Sequence, residues 1–152
     1  MELKPGDVAP AFTLPDTDGK MVSSTDFPGK PFVVYFYPKD DTPGCTTEAC
    51  QFTDNISQFE FLGVPVLGIS QDDAASHRAF ADKYRLRVWL LSDPDRKVHE
   101  AYGAWGERPG RGVGVIRSTF LVGADGKIDR AWSFVKPDGH ALEVLRALKP
   151  AA

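Results

Sequence analysis

Hydrophobic and polar positions along the chain follow two periods. Pro31-Phe32-Val33-Val34-Tyr35-Phe36-Tyr37 is apolar at nearly every position, and Pro65-Val66-Leu67-Gly68-Ile69-Ser70 repeats the pattern. Such runs predict central strands covered on both faces. Between them, Thr46 to about Leu62 is long enough for a crossover helix. Asp73 to Tyr84 carries Ala75, Ala79, Phe80 and Tyr84 at helical spacing, with Asp72 or Asp73 as a cap. Trp89-Leu90-Leu91-Ser92 reads as a short strand, and Asp93-Pro94-Asp95 as the start of a brief helix through about Tyr102. Gly103 to Gly114 is glycine-rich and reads as a loop. Val115 to Val122 and Lys127 to Phe134 read as strands joined at Ala124-Asp125-Gly126. His140 to Leu148 reads as a helix with Leu142, Leu145 and Leu148 on one stripe.

Ahead of these, Ala11-Phe12-Thr13-Leu14 and Lys20-Met21-Val22-Ser23 flank Asp16-Thr17-Asp18-Gly19, a hairpin pattern. Strands alternating with helices, then a strand pair and a last helix, predict an α/β domain of three layers with a mixed central sheet and an N-terminal hairpin. The order is that of a thioredoxin-like core with added elements. One such domain is expected over residues 1–152, since the chain has 152 residues and neither repeats nor a linker.

Composition narrows the function classes. Eighteen basic and twenty-one acidic residues give a formal charge of −3, which argues against a basic nucleic-acid footprint. No apolar run approaches the roughly 20 residues that span a bilayer, and the start does not resemble a secretory signal. Two cysteines are too few for a disulfide scaffold. The expectation is a cytoplasmic protein that binds neither nucleic acid nor membrane. The three histidines, His77, His99 and His140, are far apart and form no metal-ligand pattern with the cysteines.

Chemistry concentrates in Tyr37-Pro38-Lys39-Asp40-Asp41-Thr42-Pro43-Gly44-Cys45-Thr46-Thr47-Glu48-Ala49-Cys50, at the carboxyl end of the first apolar strand. Open α/β sheets place their sites there. Cys45 falls in the first turn of the expected helix, where unpaired N–H groups favour a thiolate over a thiol. The alternative is a small buried hydrophobe. The spacing of the two cysteines is not the C-x-x-C of disulfide oxidoreductases. Glu48 suits a first helical turn electrostatically, so its presence assigns it no definite role. Arg117, Thr119 and Leu121 share one strand face, so a charge at Arg117 needs a partner unless it sits at a solvated strand end.

Pro38-x-x-x-Thr42-x-x-Cys45 resembles the active-site motif of peroxiredoxins, and the run from Tyr37 to Cys50 is similar to their bacterioferritin comigratory protein, or Q-type, branch. Further matches are Leu91-Ser92-Asp93-Pro94, Ala101-Tyr102-Gly103, Arg117-Ser118-Thr119-Phe120-Leu121-Val122 and Val135-x-Pro137-x-Gly139-His140. The resemblance implies a thiol peroxidase without metal, haem or flavin, acting on hydrogen peroxide and organic hydroperoxides. Cys45 is then the attacking cysteine. Thr42 hydrogen-bonds peroxide and sulfur, and Arg117 stabilises the thiolate and polarises the leaving oxygen. Pro38 shields the sulfur, and backbone N–H groups near Gly44 and Cys45 bind the peroxide oxygens. Cys50 matches the resolving cysteine, implying an intramolecular disulfide reduced by a thioredoxin- or glutaredoxin-like partner, in a monomer. Two departures stand out: the segment from Trp105 to Arg117 is short and glycine-rich, and Thr53 replaces a residue that is basic in many relatives. Rival readings are a general thiol–disulfide oxidoreductase, which would not consume peroxide directly, and a redox-switched binding module, which would not turn over repeatedly.

Overall fold

The computed structural model describes residues 3–148, so residues 1, 2 and 149–152 of the expected domain lie outside it. The first two strands, β1 (Thr13–Pro15) and β2 (Met21–Ser23), pair antiparallel around the expected turn. Five strands form the central sheet: β3 (Phe32–Phe36), β4 (Val66–Ser70), β5 (Trp89–Ser92), β8 (Ser118–Val122) and β9 (Ile128–Trp132), in the order β5-β4-β3-β8-β9. β3, β4 and β5 run parallel, while β8 and β9 are antiparallel to their neighbours. The sheet is therefore mixed, as expected.

Alternation along β3 builds two cores. Val33, Tyr35 and Tyr37 face the helices α1 (Pro43–Asp54), α2 (Ile56–Phe61), α3 (Ala74–Tyr84) and α5 (His140–Leu148). Phe32, Val34 and Phe36 face the β1–β2 hairpin and the short α4 (Lys97–Ala101). Both faces of β3 are dry, which is why its sequence lacks the alternation of a half-exposed strand. The neighbouring strand makes room for this packing at Gly68, where a Cβ would lie 2.8 Å from the Tyr35 ring and hydroxyl.

Four segments differ from the sequence expectation. The crossover helix starts earlier, at Pro43, because proline suits the first helical position, where no N–H is needed. It also breaks at Asn55, whose backbone leaves helical geometry and whose side-chain amide donates to the Gln51 carbonyl at 2.8 Å. The supposed Gly103–Gly114 loop contains a second hairpin, β6 (Trp105–Arg108) with β7 (Gly112–Val115). Gly110 and Gly112 provide the left-handed turn, and the Arg108 side chain lies where a Cβ at residue 114 would be. β7 ends at Val115, so the expected strand from Val115 to Val122 is two strands with Ile116 and Arg117 between them. Finally, α4 begins at Lys97 rather than Asp93, because the Asp93 carboxylate instead accepts from the His99 N–H at 2.9 Å and the His99 ring at 2.6 Å.

Candidate active site

The site forms where β3 hands the chain to α1. Thr42 is the N-cap residue of α1, with extended backbone, and Cys45 is the third helical residue. The first-turn N–H groups of a helix have no intrahelical partner, so Cys45 sits in their field. Its side chain is 1% exposed and packs in the core with Tyr35, Tyr37, Ala49 and Phe52.

Arg117 reaches this sulfur because of strand register. Tyr35 pairs with Thr119 and Phe36 with Ser118, so Arg117 lies beside the departing end of β3. Its Nη2 donates to Cys45 Sγ at 3.4 Å and its Nη1 to Glu48 Oε1 at 2.7 Å. The arginine side chain is 14% exposed and that of Glu48 fully buried, so this is no solvated strand-end arginine. Burial works against the Arg117 charge, but Glu48 and Cys45 outweigh it and hold the proton on more firmly. Burial also pushes the Glu48 carboxyl up to about 7, against the opposing pull of Arg117.

Gly44 has a steric reason to lack a side chain. A Cβ there would stand 3.2 Å from Arg117 Nη2 and 3.3 Å from Pro137 Cγ, so any larger residue would press on the guanidinium. Pro38, half-buried, opens the loop between β3 and α1. The Thr42 hydroxyl donates to the Lys39 carbonyl at 2.9 Å, whereas the side-chain bond to the sulfur comes from Arg117. With its proton committed, the Thr42 oxygen retains lone pairs that can accept.

Cys50 lies five residues on in the same helix, partly buried, and both cysteines are free thiols. Burial and the Asp54 carboxylate push the Cys50 thiol up. Next to it, Gln51 binds the segment before α5 twice: its amide donates to Asp138 at 2.6 Å, and its oxygen accepts from the Gly139 N–H at 2.8 Å. Trp105 stacks beneath the Arg96 guanidinium at 4.3 Å. At Thr53 the hydroxyl accepts from the Arg87 N–H.

Sequence reasoning missed two features. It set Glu48 in the first helical turn and gave it no partner; with α1 starting at Pro43, Glu48 is the sixth helical residue, one turn after Cys45 and on the same face. It also missed that each histidine faces a carboxylate: His77 with Asp40, His99 with Asp93 and His140 with Glu143. These pairs join residues on separate elements or at short range without a shared motif.

A thiol in the first turn of a helix, held by a guanidinium and followed by a second thiol, has counterparts among known proteins. Residues 5–131 match the AhpC/TSA family. Peroxiredoxin Bcp of Escherichia coli is 47% identical over 153 residues, covering 99% of this chain and 98% of that protein. The peroxiredoxin Q of Xylella fastidiosa, solved as a cysteine-to-serine mutant, superposes with a TM-score of 0.92 at 35% identity, over 97% of this chain and 96% of that one. The bacterioferritin comigratory protein of Xanthomonas campestris, solved in trapped intermediate and ligand complexes of alkyl peroxide reduction, gives 0.86 at 37% identity, over 90% and 89%. The chain belongs to the AhpC/TSA family, in the Q-type branch of the peroxiredoxins.

Proposed function

We propose that this peroxiredoxin reduces hydrogen peroxide and organic hydroperoxides with Cys45 as the attacking sulfur and Cys50 as the resolving thiol, within one thioredoxin-like domain. The observation that carries the assignment is the Arg117 guanidinium 3.4 Å from Cys45 Sγ, at the start of a helix. A thiolate there is favoured by both the cation and the helix field. It attacks the terminal peroxide oxygen and becomes a sulfenic acid as the O–O bond breaks, and the other oxygen leaves as hydroxide or alkoxide that takes a proton to become water or an alcohol. Thr42, its own proton given to Lys39, accepts from the incoming peroxide, while Arg117 and the first-turn N–H groups near Gly44 and Cys45 stabilise the charge that develops on oxygen. Pro38 covers the sulfur.

Cys50 then attacks the sulfenic sulfur, expelling water and forming a disulfide. Cys45 is the first to meet peroxide because Arg117 and the start of α1 act on its sulfur, whereas Cys50 lies a turn further along the helix. A thioredoxin- or glutaredoxin-like protein returns both sulfurs to thiols by exchange. Both thiols belong to one helix, so the cycle needs no second subunit, and we read the working form as a monomer. Its need for a dithiol reductant fits the cytoplasm. Among the described residues no helix is long and apolar enough to cross a membrane. No group of three potential metal ligands occurs among them either.

The test is peroxide consumption by the reduced protein with a thioredoxin system and, separately, a glutaredoxin system. Sustained turnover that Cys45→Ser removes is the expected result. Disulfide exchange without direct loss of peroxide would favour the general oxidoreductase reading instead.

A further inference from the structure

A second buried polar cluster lies behind the site, where the loop from β3 to α1 crosses the start of α3. Asp40 is 7% exposed yet carries a carboxylate. It accepts from the Tyr37 hydroxyl at 2.6 Å and the Ser76 hydroxyl at 2.8 Å, and faces His77 Nδ1 at 2.7 Å. The other nitrogen of His77 lies 3.0 Å from the Leu91 carbonyl, so the ring cannot turn without losing a partner. His77 is fully buried. The next residue, Asp41, has φ of 58° and is held from outside by Lys83 at 2.8 Å and the Tyr84 hydroxyl at 2.7 Å. Two successive carboxylates thus tie the loop to α3 from opposite sides.

These ties converge on one peptide unit. The N–H of Asp40 donates to Asp72 Oδ2 at 2.8 Å, and Asp72 is itself bound by the Ser70 hydroxyl at 2.7 Å. The carbonyl of that same peptide is Lys39 O, the acceptor of the Thr42 hydroxyl. The direction of the Thr42 hydroxyl, and hence of its free lone pairs, depends on a peptide plane that Asp40 and Asp72 fix from below. Apolar packing generally serves stability as well as, or better than, a buried polar pair, and here the polar contacts meet on the plane that holds Thr42.

We propose that Asp40 and Asp72 are positioning residues for the peroxide reaction: they lock the Lys39–Asp40 peptide and so aim the Thr42 hydroxyl at the bound peroxide. The proposal rests on the peroxidase reading, which wild-type peroxide consumption tests separately. The experiment compares Asp40→Asn, Asp72→Ala and Asp72→Asn for two rates of the reduced protein: reaction with hydrogen peroxide, and alkylation of Cys45 by iodoacetamide in a Cys50→Ser background. Alkylation reports the thiolate, whose partners are the Arg117 guanidinium and the first turn of α1 rather than the Thr42 hydroxyl. A small misalignment near the chemistry can cost up to about a hundredfold. Asp40→Asn and Asp72→Ala should slow the peroxide reaction by roughly tenfold or more, with alkylation nearly unchanged. Asp72→Asn, which keeps an acceptor oxygen, should recover most of the rate. Should Asp40→Asn fail to fold, the Asp72 pair decides alone. Equal losses in both reactions, or no loss of peroxide rate in Asp72→Ala, would overturn the proposal.

Discussion

Cys45 and Glu48, one helical turn apart on α1, share a single guanidinium. Nη2 of Arg117 takes the sulfur and Nη1 the carboxylate. Two potential anions therefore depend on one cation in a largely buried site, where each interaction weighs more than it would in water. Glu48 orients the arginine through its short ion pair, and the second nitrogen is left aimed at the sulfur.

Arg117→Met removes that shared partner and keeps an unbranched, uncharged stem. The peroxide step should slow by roughly a hundredfold or more, the usual cost of losing a donor to a developing oxyanion. Alkylation of Cys45 should slow less, by roughly tenfold, because it registers only the lost stabilisation of the thiolate. Stopped-flow mixing with peroxide, set beside iodoacetamide kinetics, separates the two. Equal losses would confine Arg117 to holding the thiolate.

Cys45→Ser should abolish peroxide consumption, since a serine hydroxyl supplies no comparable anion near neutral pH. Cys50→Ser should react once, stop at the sulfenic acid, and pass to sulfinic acid under excess oxidant. Intact-mass spectrometry after a single turnover distinguishes them by the added oxygen atoms. Identical behaviour of the two variants would contradict the division of labour between the thiols.

Glu48 should leave a mark on the pH dependence of stability. Its carboxyl has an ordinary value near 4.5 and is raised to about 7 in the folded protein, first by burial. Below 4.5 it is protonated folded and unfolded, and contributes no pH dependence. Between 4.5 and about 7 the unfolded chain releases a proton that the folded one keeps, so stability falls as pH rises. The slope from one such group reaches at most about 1.4 kcal/mol per pH unit, and it flattens above the folded value. Urea midpoints across pH 4.5 to 8 should show this fall in the wild type and lose that component in Glu48→Gln. Parallel profiles for the two proteins would mean that Glu48 titrates no differently when folded.

The sheet and most helices were legible because burial on both faces leaves an uninterrupted apolar run, and β3 and β4 could hardly be anything else. The second hairpin was not. Its strands alternate around glycines, and Gly114 owes its identity to the Arg108 side chain lying over it, a contact between residues on opposite strands. The site divides in the same way. Pro38, Thr42, Gly44, Cys45 and Cys50 lie in one short segment, so a local motif could carry them. Arg117 was legible through the same resemblance, and the β3–β8 register explains why it arrives at the sulfur. Glu48 and the Asp40–His77 pair depend on partners 69 and 37 residues away, which spacing alone does not bring together.

Oxidation should unwind part of α1. The structure puts both cysteines in one continuous helix, Pro43–Asp54. Five residues along an α-helix advance about 7.5 Å and place their Cα atoms roughly 8.6 Å apart. A disulfide spans Cα separations of about 4.4–6.8 Å, so the intact helix cannot close the bond. The chain between the cysteines must leave helical geometry, which gives up backbone hydrogen bonds and lifts Cys45 from the core. Phe52, fully buried and stacked on Tyr35 at 4.8 Å, resists the spread of this change, as does Gln51 through its two bonds to Asp138 and Gly139. The reduced protein should therefore be the more helical by circular dichroism. Amides from Cys45 to about Asp54 should exchange faster after oxidation, with the gain steepest before Gln51. Gln51→Ala, which removes the clamp, should carry the faster exchange further along α1 and into the segment preceding α5. Equal helicity and equal exchange in the two redox states, with the disulfide verified by mass, would mean that the bond forms without the helix giving way.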